Sequence, residues 1–124
     1  MKKILSFLVA VLMLVTLASC SFFGLTVEQA EANLNDAGYE VHVIAGADFN
    51  EDECPINVGT MLSSEIDYYL WAKKGDDEIY LFFFPDSERA SDALMTMSHK
   101  TFKSGSNSGT VYFGTKQAIK DSKI

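Results

Sequence analysis

Histidine, cysteine, proline, tryptophan and basic residues are all scarce in this chain. It has two histidines, two cysteines, two prolines and one tryptophan in 124 residues. The two histidines, His42 and His99, lie far apart, so a zinc helix with two histidines one turn apart is excluded. The chain has no nucleophile elbow and no phosphate loop: Ser104–Gly109 is rich in Gly and Ser but lacks the lysine such a loop requires. A triad of distant residues is defined in space rather than in sequence. Nothing else in the chain points to catalysis, and it reads as a non-enzyme without a cofactor motif. The shortage of cations is equally informative. Ten Lys and Arg stand against 17 Asp and Glu, a formal charge of −7. Such a surface is repelled by phosphate backbones, which argues against nucleic acid as a partner. Repeats and low-complexity tracts are absent. After the first twenty residues the best apolar run, Ile79–Phe84, is only six residues long, against the roughly 20 that a spanning helix needs.

What the chain does have begins at its start. Lys2 and Lys3 precede an apolar core, Ile4–Thr16, broken only by Ser6, and then come Leu17-Ala18-Ser19-Cys20. A basic start, a short apolar core and small residues before a cut are the parts of a secretory signal. The core is at or below the short end for an uncleaved membrane anchor. With Cys20 in place, the segment resembles a bacterial lipoprotein signal peptide ending in a lipobox. Ser19 departs from the Gly or Ala that the family prefers there. The resemblance implies a diacylglyceryl group on the Cys20 thiol, cleavage between Ser19 and Cys20, and export to the cell envelope. Two or three acyl chains anchor a protein stably where one does not. The organisation then expected is a cleaved signal peptide, 1–19, a lipidated N-terminus and short linker, 20–25, and a single domain, 26–124. Ser21–Leu25 reaches at most about 18 Å, and Phe22 and Phe23 suit the membrane interface. The domain is therefore expected close to the bilayer. The mature chain of about 105 residues is long enough for a core without staples, and loss of Lys2 and Lys3 makes it still more acidic. With Cys20 acylated, Cys54 stands alone and no internal disulfide forms. Burial, pairing with another chain and metal binding remain for it, and burial is the commonest.

Thr26-Val27-Glu28-Gln29 fits a capping box, and Val27, Ala30, Leu34 and Ala37 continue at helical spacing to Gly38. The spacing predicts a helix over 27–37 and the alternation of Tyr39–Ile44 a strand. Residues 45–60 are irregular, as a functional loop or around a short strand near Ile56–Met61. Ser64–Lys73 and Glu78–Phe84 alternate strongly around Lys74-Gly75-Asp76-Asp77, either as a two-residue turn at Gly75-Asp76 or as a four-residue loop. An even loop places Lys73 opposite Glu78, Trp71 opposite Tyr80 and Tyr69 opposite Phe82 on one face. Ala72, Leu70 and Tyr68 then oppose Ile79, Leu81 and Phe83 on the other. The opposite charges of Lys73 and Glu78 favour this register. Pro85 ends the strand, and Asp86 or Ser87 caps a helix carrying Ala90, Leu94, Met97 and Thr101 on one stripe. Ser104–Gly109 reads as a turn-rich loop, Thr110–Phe113 as a strand and Lys116–Lys120 as a final helical turn or two. The predicted class is α+β: an antiparallel meander of three to four strands packed with two to three helices, in the order α-β-β-β-α-β-α. The ending Val111–Lys120 resembles endings of small lipoproteins of low-GC bacteria. That resemblance implies a strand running into a terminal helix and brings no activity with it.

Three features could carry function. The first is the aromatic side of the hairpin, Tyr69, Trp71, Tyr80, Phe82 and Phe84. If helices cover only the aliphatic side, this face is an exposed patch suited to docking an envelope protein; if they cover both, it is core. The second is the acidic loop Asp48–Glu53. Asp48, Asn50 and Asp52 match positions one, three and five of a calcium loop, but Glu53 and Gly59 replace the required Gly and Glu, so an EF-hand is rejected. A looser calcium site and a solvated loop remain. The third is Met95 with His99, one turn apart on the predicted helix. Their soft ligands suit Cu(I), with Cys54 or Met61 as further ligands, while the alternative is one core Met flanked by surface residues. The leading reading is a membrane-anchored envelope lipoprotein acting as an interaction module through the aromatic face. A small-ligand or metal carrier is the second reading, and an enzyme of unknown type the third.

Overall fold

Thr26 caps the first described helix as the capping box predicts. In the computed structural model, which describes residues 24–59 and 65–124, the Gln29 amide donates to Thr26 Oγ1 at 3.2 Å and the Thr26 amide donates to Gln29 Oε1 at 2.9 Å. Two of the four unpaired donors at the helix start are satisfied this way. Helix α1 (Val27–Asp36) buries Val27, Ala30 and Leu34. The chain then reverses into β1 (Glu40–Ala45) and passes through two short 3₁₀ turns, Gly46–Asp48 and Glu51–Glu53. Near the expected short strand the described residues form an isolated bridge, Asn57 with Ser98, and residues 60–64 lie outside the described residues.

Strands β2 (Tyr68–Lys74) and β3 (Asp77–Phe83) form the predicted hairpin around Gly75-Asp76, with every expected pair in register. The Lys73 ammonium lies 3.6 Å from the Glu78 carboxylate. Strand β2 begins at Tyr68, although the Asp67 amide already donates to the Phe83 carbonyl at 2.7 Å; the expected start, Ser64, lies outside the described residues. Asp86 caps α2 (Ser87–Thr96) by accepting from the Arg89 amide at 2.8 Å. Met97 takes extended backbone and ends the helix, so Thr101 and His99 do not continue the stripe.

The Ser104–Gly109 stretch is not a loop. Lys103–Asn107 forms β4, which pairs with β5 (Thr110–Gly114) through the two-residue turn Ser108-Gly109. The β4 residues have little intrinsic strand preference. Pairing with β5 decides their conformation, and the ring of Tyr112 lies against Gly105 where a side chain would collide. Helix α3 (Lys116–Ser122) closes the chain.

The described residues form an α+β fold: three helices on one five-stranded antiparallel sheet of order β1-β2-β3-β5-β4. The expected class holds with one more strand than expected. Both faces of the sheet are covered. Leu70, Ala72, Ile79 and Leu81 pack under α1 and α3, against Ala30, Leu34 and Ala118. Tyr69, Phe82, Val111 and Phe113 pack on the other face, under the 46–58 segment and α2, against Phe49, Ile56, Ala90 and Met97. Each fully buried side chain of this size contributes about 1.5–3 kcal/mol by leaving water.

Candidate functional site

The aromatic face is the first place to look, and the structure closes it. Tyr69, Tyr80, Phe82 and Phe84 are buried. Only Trp71 is half-exposed, and the His42 ring stacks on it at 4.1 Å. Phe49 sits edge-on to Tyr69, at 5.0 Å between ring centres, and Phe102 covers Tyr80 at 5.7 Å. The docking face expected from an exposed stripe is therefore core. Segments from before and after the hairpin, 46–58 and 87–102, fold over it.

The acidic loop has a structural explanation. Asn50 accepts from the Asp52 amide at 3.0 Å and caps the second 3₁₀ turn, while Phe49 anchors the loop in the core. Asp48 and Asp52 are exposed. Among the described residues, no group of three or more His, Cys, Asp or Glu is placed to hold a metal ion. The Met95–His99 pair does not form either. Met95 points into solvent, 85% exposed, and His99 lies beyond the helix end with its ring stacked on Phe102 at 4.0 Å. Cys54 is half-buried beside the Tyr69 hydroxyl, and burial raises its thiol pKa. Met61, Cys20, Phe22 and Phe23 lie outside the described residues.

A groove of about 550 Å³ lies elsewhere, at one end of the sheet. Its near wall is the start of α1, with Leu25, Val27 and Glu28. Its floor is the last pair of the hairpin ladder, Tyr68 with Phe83. Pro85 and Asp86 form the far wall, and the Ser108-Gly109 turn closes the end. Tyr68, expected on the core face, is 41% exposed here because β2 begins with it. Val43, also exposed, sits one step along the same sheet face, on β1.

Gly24 places the chain's entry at the rim of this groove. It has φ +81°, a conformation that side chains strongly disfavour. A Cβ on it would come within 2.6 Å of Ser108 Cβ, so glycine lets the backbone press onto the β4–β5 turn.

The groove has one sign of charge. Glu28, Asp67 and Asp86 line it, and among the described residues no Lys, Arg or His does. Asp86 is partly neutralised by Arg89, whose Nη1 lies 3.3 Å from its carboxylate. Glu28 and Asp67 form no ion pair with a described residue. The groove thus joins an apolar floor to an anionic rim, which suits a ligand with an apolar body and a cationic end. Sequence reasoning did not single out Leu25, Tyr68, Phe83 or Pro85 as a site. The one signal in the sequence was the shortness of the linker before Leu25.

Compared with known proteins, the chain matches no family model, no curated protein and no solved structure. Among the described residues, no helix is long and apolar enough to cross a membrane.

Proposed function

We propose that this protein is an envelope lipoprotein, held on the exported side of a membrane through acylated Cys20, and that its domain is a binding module working through the groove at its anchored end. The observation that carries this reading is a coincidence of position. The groove lies where the described chain begins, at Gly24 and Leu25, four residues after the lipobox cysteine in sequence. Only Ser21–Phe23 separate Cys20 from Gly24, a reach of about 14 Å. A groove so tethered faces the bilayer or a component lying on it. The hairpin still supplies the exposed aromatic ring, but through Tyr68 at the end of the ladder rather than through Tyr69 or Phe82.

Expression of the full precursor in a bacterial host tests both halves. Intact mass should show a chain beginning at acylated Cys20, and the protein should fractionate with membranes. Cys20→Ser should abolish both the acyl mass and the cleavage. A photo-crosslinking residue at position 68 should trap a membrane component, while one at position 95, on exposed α2, should trap none. Wild-type protein lacking acyl mass would refute the anchoring, and equal capture at the two positions would refute the groove.

A further inference from the structure

We infer that the groove binds a phospholipid with an ammonium headgroup, taken from the leaflet that holds Cys20. This deepens the reading above and rests on its anchoring step. The argument starts from charge. Glu28, Asp67 and Asp86 at the rim repel anionic headgroups, and among the described residues no cationic side chain lines the groove to offset them. Two of the three, Glu28 and Asp67, are exposed and without an ion-pair partner among the described residues. The rim carboxylates therefore favour an occupant that brings positive charge to them.

Shape supplies the second requirement. Leu25, Tyr68, Phe83 and Pro85 make an apolar floor and walls that a small hydrated amine would leave unfilled. Tyr68 offers its ring face as well as its apolar surface, and an ammonium over such a ring is stabilised further. A volume of about 550 Å³ falls in the usual range for a ligand-sized pocket. It holds a headgroup and the first part of an acyl chain, with the rest continuing into the bilayer.

Position supplies the third. The headgroup layer is about 5–7 Å thick on each side of the hydrocarbon core. A rim within about 14 Å of the Cys20 Cα lies at or just above that layer. The ammonium of a zwitterionic lipid such as phosphatidylethanolamine is the cation available at that depth. The ammonium would sit between Asp67 and Glu28, with the acyl portion over Tyr68 and Phe83.

The test uses mature, isotope-labelled lipoprotein in a neutral detergent, with its intact mass measured first. Absence of acyl mass at that step counts against the anchoring reading alone. The lipid preference is read separately, from amide shifts during titration with dihexanoyl phosphatidylethanolamine, dihexanoyl phosphatidylglycerol and free ethanolamine. The expected result is saturable shifts at Leu25, Tyr68, Ser108 and Gly109 with the ethanolamine lipid. Binding of the glycerol lipid should be at least tenfold weaker, and free ethanolamine should bind no better. Asp67→Asn combined with Glu28→Gln should bring the two lipids within about twofold of each other. Tyr68→Ala should weaken both. Equal affinity for the two lipids in the wild-type protein, shifts confined to residues outside the groove, no saturable shift, or ethanolamine binding as tightly as its lipid would each overturn the proposal.

Discussion

Three tyrosines keep their hydroxyls inside the fold, each beside a different partner. Tyr39 donates to Asp121 Oδ2 at 2.8 Å, Tyr80 donates to Glu78 Oε2 at 2.9 Å, and the Tyr69 hydroxyl lies beside the Cys54 thiol. Burial is the main reason that all three titrate well above the ordinary tyrosine range, and the neighbouring acidic group adds to it. Burial raises Cys54 in the same way. In the unfolded chain these groups lose protons near pH 8.5 for the thiol and pH 10 for the phenols, about their unperturbed values. The folded chain keeps its protons there, so the unfolded state binds fewer and stability falls as pH rises. Urea unfolding should show no loss from these groups below about pH 8, a first decline through the thiol's range and a steeper one above about pH 10. The absorbance of these three phenols as tyrosinate should rise together with unfolding. If they ionise while the fold persists, their burial is not what raises them. The same residues show what sequence can miss. Nothing local to Tyr69 says whether its ring meets water or Phe49.

At the scale of the element, caps and turns explain most of what was readable. The α1 capping box involves residues three apart, and the β2–β3 register follows from parity, the turn and one charge pair, all of them local. The end of α2 is different. Leu94 and Met97 read as one stripe running to Thr101, yet the helix stops at Thr96. There the chain passes to the Asn57–Ser98 bridge, a contact with a segment some forty residues earlier. The start of α2 gives a sharp expectation. Asp86→Ala removes the acceptor of the Arg89 amide and should cost about 1 kcal/mol, which lowers the melting temperature of a domain this size by about 4–8 °C. Asp86→Ser keeps the cap and should recover most of the loss. Circular dichroism melts of the three proteins decide it, and an alanine variant that melts with wild type would show that the cap contributes nothing. Strand β4 marks the limit of local reading. Lys103-Ser104-Gly105-Ser106-Asn107 has turn chemistry throughout, and pairing with β5 outweighs it.

For the whole molecule, β3 is the centre. It has β2 on one side, β5 on the other, and packed side chains on both faces, with Ile79, Leu81 and Phe82 fully buried. Among the described residues, the two outer strands, β1 and β4, each have one neighbouring strand. Native-state hydrogen exchange should therefore rank the amides by position. Those of Leu81 and Phe82 should open only with global unfolding, and those on the outer edge of β4 should exchange orders of magnitude faster. Slow exchange along the outer edge of β4 would mean that something covers it in solution. The same architecture sets the groove at the end of the sheet rather than on a face, since both faces are already filled.

The sequence alone determined what depends on near neighbours. The lipobox reading rests on it entirely, and the α1 cap, the hairpin register, the α+β class and the acidic balance follow from spacings of a few residues. Tertiary structure decided what depends on coverage. Residues 46–58 and 87–102 bury the aromatic stripe that alternation alone left open, and β5 makes a strand of Ser104–Asn107. The groove needs Leu25, Tyr68, Pro85 and Gly109 together, four positions spread over most of the chain. Local preferences act over a few residues, whereas a surface exists only after distant segments have met, and so the site was the last feature to become visible.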